Sequence, residues 1–439
     1  MKNVLVLGAG MVSRPLVRDL LIRQGHRVTV ADVDLARARS VIQGHPNGIA
    51  ERLDASNKGL LGKLMEGTDI AVSMLPPRMH SLVAELSIDN GSHLVTASYA
   101  GNTKAFDQPA RDKELIILNE MGLDPGIDHF SAMRIIEEVT ANGGKITGFS
   151  SYCGGLPAPE ANNALGYKFS WSPRGVFDAM RNSATFMRDG QVVTMPNEQL
   201  FSSPSQHPIE GVGLLEGYPN RDSLGYIKAY GLNAIQNMLR GTLRVAGWCA
   251  FWDKVAKTGI LQEAPIDLNG QSYAGLTKEL IGADPAENVT AAFARYLGVD
   301  PASIMIEQAR ELGLFEETPI PAGTKTPVDA LSTIAQERMQ FRAGERDMSV
   351  LQHTFLAAYN DRRKKITSTL IDFGVPGRDS SMSRLVGLTA AVGVQLVAEN
   401  KVLGRGSLIP TTPDIYKPAL AILGTLGVEM KETVEDVKS

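Results

Sequence analysis

Hydrophobic positions near the start of the chain fall into short continuous runs separated by stretches of helical period. Val4-Leu5-Val6-Leu7 predicts a strand over Asn3–Leu7, a helix follows from about Met11 to Gln24, and Arg27–Ala31 is a second strand. Ile70–Met74, His93–Thr96 and Leu115–Leu118 read as further strands, and Pro76-Pro77 stops the chain beyond Met74. The runs are continuous rather than alternating, as expected where helices cover both faces of a parallel sheet. Strand and helix in alternation are the βαβ signature.

Beyond Gly122 the pattern changes. Ile127–Thr140 predicts an amphipathic helix and Lys145–Tyr152 a strand. Asp189-Gly190 between Thr185–Arg188 and Gln191–Thr194 is a tight-hairpin signal. Met348–Tyr359 and Lys365–Phe373 flank the polar turn Asn360–Lys364 and predict a second hairpin in the same antiparallel sheet. Between the hairpins, from about Tyr226 to Glu345, helical periodicity dominates. The end of the chain, from Ser380, reads as helical and then rich in Gly and Pro.

The expected fold class is therefore α/β. A Rossmann dinucleotide-binding domain spans 1–122, and the segment from about 380 to 439 is a candidate to return to it. An α+β domain with a mixed sheet takes 123–225 and 346–379, and a helical insertion takes 226–345. A chain of 439 residues is too long for one ordinary core, which agrees with several domains.

Composition narrows the partners. With 43% hydrophobic and 21% charged residues and a net charge of −4, the chain reads as a soluble globular protein; nothing points to nucleic acid or an anionic membrane. The apolar run after Lys2 ends at Gly8, too soon for a secretory signal, and Leu388–Ala398 is too short to span a bilayer. The 2 cysteines, Cys153 and Cys249, form no disulfide framework, which fits a reducing cytosol, and no Cys/His spacing suits zinc. A cytoplasmic protein without a metal, acting on a small molecule, is the expectation; a homodimer is compatible with it.

Gly8-Ala9-Gly10-Met11-Val12-Ser13 follows a strand directly and opens a helix. Gly8 permits the tight turn, Gly10 lets the backbone approach a pyrophosphate, and the helix N-terminus offers free N–H groups to it. Ser13 stands where the third glycine usually falls. Asp32 closes the second strand, where a carboxylate accepts from the adenosine ribose hydroxyls and repels a 2′-phosphate. That favours NAD over NADP, with Arg37 and Arg39 nearby as the residues that could serve a 2′-phosphate. The plainer alternative is that Asp32 or Asp34 caps the next helix.

Several later segments mix Gly or Pro with charged and aromatic residues: Asn119–His129, Ser151–Pro157, Gly166–Gly175, Tyr218–Asp222 and Arg240–Arg244. In these stretches ("NEMGLDPGIDH", "SYCGGLPAPE", "GYKFSWSPRGV", "YPNRD", "RGTLR") the chain closely resembles the L-glutamate-forming saccharopine dehydrogenases, also called saccharopine reductases. The resemblance runs from the glycine loop to the hairpin near Arg363. It implies a Rossmann domain, a substrate domain with a mixed sheet, and a helical domain. It implies cofactor contacts along Gly8, Gly10, Met11 and Val12 and at Asp54, Ala55, Leu75, Pro76, Ser98, Tyr99, Leu123, Asp124 and Pro125. It implies substrate contacts at Ser98, Tyr99, Asp124, Arg221, Gly241, Thr242 and Leu243. Fungal members carry an Arg just after the second strand and use NADP; Val33 stands there in this chain. NADP remains open through the resemblance, and NAD is favoured by Asp32.

Saccharopine carries three carboxylates, so its pocket needs cations. Arg221 and Arg244 are the leading candidates and Arg174 a third; for each the plainer reading is a bracing arginine, and Arg244 could brace its own helix. Oxidation of the carbon–nitrogen bond gives an imine, and water then releases glutamate and 2-aminoadipate 6-semialdehyde. Asp124, Tyr99 and Cys153 are the candidates for the proton steps, with Asp128, His129 and Lys168 behind them. Asp124 also suits an N-terminal helix cap, Asp128 a first-turn acid, His129 a core histidine, and Cys153 a pocket wall. No single general base emerges. Two other readings are a related imine-reducing dehydrogenase of the carboxynorspermidine type, whose pocket should be acidic, and a non-catalytic dinucleotide-sensing protein.

Overall fold

The computed structural model describes residues 1–360 and 362–437; Asp361, in the expected turn Asn360–Lys364, and Lys438 and Ser439 lie outside the described residues. The chain divides into two units, Met1–Ile146 with Leu356–Ser439, and Thr147–Phe355.

In the first unit β1 (Asn3–Leu7), β2 (Arg27–Asp32), β3 (Gly48–Arg52), β4 (Ile70–Ser73), β5 (His93–Thr96) and β6 (Ile116–Leu118) form a parallel sheet in the order β6-β5-β4-β1-β2-β3. Val4, Leu5, Val6 and Leu7 are buried, as a strand covered on both faces requires. The strand order turns back between β1 and β4, and the loops leaving the carboxyl ends of the strands meet at that point, where such sheets hold their ligands.

The end of the chain returns to this sheet. Gly406–Leu408 lies parallel to β6, Gly406 opposite Ile116. The apolar stretch before it belongs to the helix Ser381–Ala398, which has the length and hydropathy of a membrane span; 72% of that stretch is buried inside the protein. It packs on the helix Ser13–Arg18 and against β4 and β5, so its apolar length serves the core. The helix Ile127–Ala141 also lies in this unit. It packs on Pro413–Thr425, and the Tyr416 hydroxyl donates to Glu137 at 2.8 Å.

In the second unit the strands are β7 (Lys145–Pro157), β8 (Ala184–Arg188), β9 (Gln191–Met195), β10 (Ser205–Ile209), β11 (Gly213–Pro219), β12 (Asn237–Val245) and β13 (Asp347–Ala358). Their order is β10-β11-β12-β7-β13. β12 runs parallel to β7 and antiparallel to β11, so the sheet is mixed. β8 and β9 form the expected hairpin, with Asp189 (φ 49°) and Gly190 (φ 76°) both in the left-handed region that a two-residue turn demands. The chain passes between the units within β7 and within β13. The end of β13 and β14 (Arg363–Phe373) lie in the first unit, where Tyr359 N donates to Arg362 O across the turn at 2.8 Å.

Three expectations need correction. The helical stretch begins at Trp248, not Tyr226, because β12 lies inside the range 226–345. Its alternating face is Met238, Arg240, Thr242 and Arg244, and both arginines are buried; charged residues on a covered face hide a strand from a hydrophobic reading. Lys431–Val437, read as Gly- and Pro-rich tail, is a strand antiparallel to β14. Every residue in it is exposed; it pairs by backbone bonds, with side-chain contacts of Ser368 to Glu432 and Lys365 to Glu435 beside them, and carries no apolar signal. Finally, Ile127–Ala141 and β14 group with the dinucleotide-binding half, so the unit boundary falls at Ile146 rather than Gly122.

Candidate functional site

The glycine loop leaves β1 through Gly8, whose φ of 100° is closed to most side chains. A Cβ there would also lie 3.1 Å from the Met74 carbonyl. Gly10 is different: a Cβ built on it meets nothing within 4 Å, so its side faces open space. Met11 is exposed and Val12 half-buried beside it. Ser13 is buried and its hydroxyl donates to Gly8 O at 2.9 Å, which accounts for a serine in the third-glycine position. No side chain caps the helix at Ser13 and its first turn holds no acid, leaving a positive end suited to a pyrophosphate.

Asp32 ends β2 half-buried. One carboxylate oxygen accepts from Ala9 N at 2.7 Å and the other from Asp34 N at 2.9 Å. The helix cap is Asp34, which accepts from Ala36 N at 2.8 Å; Asp32 caps the glycine loop instead. Val33 is exposed, and Arg37 sits 3.5 Å from the Asp34 carboxylate. After β3, Asp54 accepts from the amide and hydroxyl of Ser56, bonds that hold its carboxyl below the usual range, while Ala55 is buried behind it.

On the other side of the switch point, Leu75 is half-buried and Pro76 exposed beyond β4. The loop Ser98-Tyr99-Ala100 beyond β5 is held from several directions. Ser98 Oγ lies 2.8 Å from His80 Nε2, and His80 Nδ1 lies 2.9 Å from Ser73 Oγ. Ala100 N donates to Glu120 Oε1 at 3.0 Å, and Glu120 Oε2 lies 2.7 Å from His129 Nε2. His129 and Asp128 are thus part of a buried frame, with Asp128 Oδ1 accepting from Gly126 N at 2.6 Å. The Tyr99 hydroxyl donates to Asp124 Oδ1 at 3.4 Å. Asp124 precedes a cis proline, Pro125, and the N-cap position of the following helix is Gly126. Leu123 and Pro125 are buried, so the backbone is what they present. Gly126 has φ 146°, and a Cβ on it would run into Gly122 O at 2.1 Å; only glycine closes this loop.

In the second unit Arg221 follows β11, exposed and left-handed (φ 54°), with its carbonyl accepting from Thr185 N at 2.8 Å. A non-glycine residue in that region costs of order 1 kcal/mol, a strain that tends to collect at functional loops. Gly241, Thr242, Leu243 and Arg244 lie along β12, a strand rather than the expected helix. The Tyr152 ring lies over Gly241, where a Cβ would come within 2.3 Å of it. Cys153 is half-buried opposite Thr242. Arg244 is 5% exposed; its guanidinium donates to Leu243 O at 2.8 Å and lies over Tyr167 and Trp248, with Glu216 opposite in register. Arg174 is gripped by Asp178, Asp329 and Glu263, which removes it as a substrate cation. Lys168 is buried in an ion pair with Glu345 at 2.6 Å.

One residue was missed by sequence reasoning: His80. It follows Pro76-Pro77 in a segment read only as a strand stop, and a lone histidine opening a helix gives no pattern to read.

A parallel doubly wound sheet, a glycine loop at its switch point and an uncapped helix behind it define a protein of the dinucleotide-binding Rossmann class. Comparison with known sequences carries this to a family. The profile described as the saccharopine dehydrogenase NADP binding domain matches residues 4–118, and that of the saccharopine dehydrogenase C-terminal domain matches 122–428. The chain belongs to the saccharopine dehydrogenase family. It is 35% identical to the saccharopine dehydrogenase [NADP(+), L-glutamate-forming] of Schizosaccharomyces pombe, covering 99% of this chain and 100% of that one. It is 30% identical to the mitochondrial alpha-aminoadipic semialdehyde synthase of Mus musculus, covering 97% of this chain and 47% of that protein. The apo L-Glu-forming saccharopine dehydrogenase structure from Saccharomyces cerevisiae superposes with a TM-score of 0.89 at 33% identity, over 99% of this chain and 100% of that one.

Proposed function

We propose that this protein interconverts saccharopine with L-glutamate and 2-aminoadipate 6-semialdehyde, using a nicotinamide dinucleotide, as a step of lysine metabolism. The observation that carries the reading is likeness over the full length to enzymes of that name, with the glycine loop intact. When bound, the nicotinamide exchanges the hydride with the carbon of the secondary amine. The protein holds the dinucleotide through the loop Gly8–Val12 and its helix, with Asp54, Ala55, Leu75, Pro76, Ser98, Leu123 and Pro125 at the neighbouring strand ends. In the first unit Ser98, Tyr99 and Asp124 are the residues offered to substrate, and the Tyr99–Asp124 pair can hold and pass the amine proton. In the second unit Arg221 is the cation for a substrate carboxylate. Gly241, Thr242 and Leu243 offer backbone and one hydroxyl, Arg244 holds the Leu243 carbonyl in place, and Cys153 is a polar wall.

For the choice of dinucleotide the reading is NAD. Its support is local: Asp32 at the end of β2 and Asp34 two residues on place two carboxylates there, and Val33 between them brings no cation. The relatives named above carry NADP(+) in their names. The cations near this strand end for a 2′-phosphate are Arg39, Arg37, the latter drawn to Asp34, and Arg52, which lies opposite Asp32 on β3. The deciding experiment follows absorbance of the reduced nicotinamide with saccharopine, NAD and NADP being run in parallel. No turnover with either would overturn the activity; faster turnover with NADP would overturn the cofactor choice alone.

A further inference from the structure

His80 opens the helix His80–Asp89, is 3% exposed, and uses both ring nitrogens on serines: Nδ1 on Ser73, the last residue of β4, and Nε2 on Ser98, beyond β5. Burial lowers its pKa to about 4, so the ring is neutral at ordinary pH. A neutral imidazole carries one N–H and one lone pair, so one serine must donate to it and the other accept from it. Ser73 is buried at 1% exposure, whereas Ser98 is half-buried at the carboxyl end of the sheet. The Ser98 backbone is fixed independently: its carbonyl accepts from Glu120 N at 3.0 Å, and the Glu120 side chain holds Ala100 N. With the backbone held and Oγ 2.8 Å from Nε2, the ring tautomer decides the direction of the Ser98 hydroxyl proton.

We propose that His80 is a positioning residue that sets that direction: Ser73 donates to Nδ1, Nε2–H donates to Ser98, and the Ser98 O–H is turned toward an anionic oxygen of a ligand. This rests on the reading of Ser98 as a ligand contact. The oxygen belongs either to a substrate carboxylate or to the dinucleotide, and the two are separated by which Michaelis constant moves.

The test compares His80→Gln, whose amide can reach Ser98 in place of Nε2, with His80→Asn, whose amide reaches only the Ser73 side. Michaelis constants for saccharopine and dinucleotide are measured for both, for Ser98→Ala, and for His80→Asn with Ser98→Ala. The expected result is a rise of roughly tenfold in one of the two constants for Ser98→Ala and for His80→Asn, the scale of a hydrogen bond to a charged group. The double variant should be no worse than Ser98→Ala, and His80→Gln should recover most of the loss. A purely structural histidine would give multiplying effects in the double variant and no advantage of Gln over Asn; either result overturns the proposal while leaving Ser98 as a ligand contact. Unchanged constants in Ser98→Ala would instead remove Ser98 from the ligand site, and the proposal with it.

Discussion

The carboxylate of Asp32 accepts the Ala9 amide at 2.7 Å, so the acid at the end of β2 is built into the glycine loop itself. Its second oxygen accepts from Asp34 N. The residue proposed to distinguish dinucleotides is thus tied to the turn proposed to hold their pyrophosphate.

The unaltered protein should therefore use NAD with a specificity constant about ten- to hundredfold above that for NADP, the scale of about 1.5–3 kcal/mol for hydrogen bonds to a charged group. Replacing Asp32 by Ser and Val33 by Arg should narrow or invert the ratio. It should also weaken both dinucleotides somewhat, because Ala9 N loses its acceptor. Initial rates with each cofactor check this, and an NADP rate equal to or above the NAD rate in the unaltered protein sinks it.

Gly10→Asp should abolish dinucleotide binding and leave the fold intact. A Cβ at Gly10 meets nothing, so the protein tolerates the side chain, while its charge enters the space offered to pyrophosphate. The contrast is Gly8→Asp, which should destabilise because of the φ of 100° and the Met74 carbonyl. Nicotinamide titration alongside thermal melting separates the two outcomes; unchanged affinity in Gly10→Asp counts against the loop as the phosphate site.

Arg221→Ala should raise the Michaelis constant for saccharopine roughly ten- to hundredfold with little change for the dinucleotide. Arg174→Ala, by comparison, should leave both constants near their original values, since that guanidinium is held by carboxylates of the chain itself. Equal changes in both constants for Arg221→Ala would mark it as a structural arginine.

His80 also predicts a pH dependence of stability. Its folded pKa is lowered from 6.5 to about 4, so the unfolded chain takes up the proton first as pH falls. Stability due to the neutral buried ring is full above pH 6.5 and is lost between there and pH 4, by about 3 kcal/mol at most for a shift of this size. The melting temperature of His80→Gln should fall less steeply over that window than that of the unaltered protein. Parallel slopes would mean that other groups carry the acid sensitivity.

The strands of the dinucleotide-binding half were legible because a parallel strand covered on both faces must be apolar throughout, as Val4–Leu7 and Ile70–Val72 are. The turn at Gly8 was legible because its left-handed backbone restricts the residue type directly, whereas at Gly10 the fold imposes no such restriction and the phosphate role is the proposal made above. The hairpin at Asp189-Gly190 was legible for the same local reason.

What the tertiary structure alone decided depends on partners distant in sequence. Arg240 and Arg244 look like surface residues until β11 and β7 flank their strand and aromatic rings cover it. Lys431–Val437 has no apolar pattern, and its pairing with β14 makes it a strand. Ser73, His80 and Ser98 are unremarkable letters in three separate segments. They become one hydrogen-bonded line because β4 and β5 are neighbours in a parallel sheet, and no periodicity within a segment encodes which strands lie side by side.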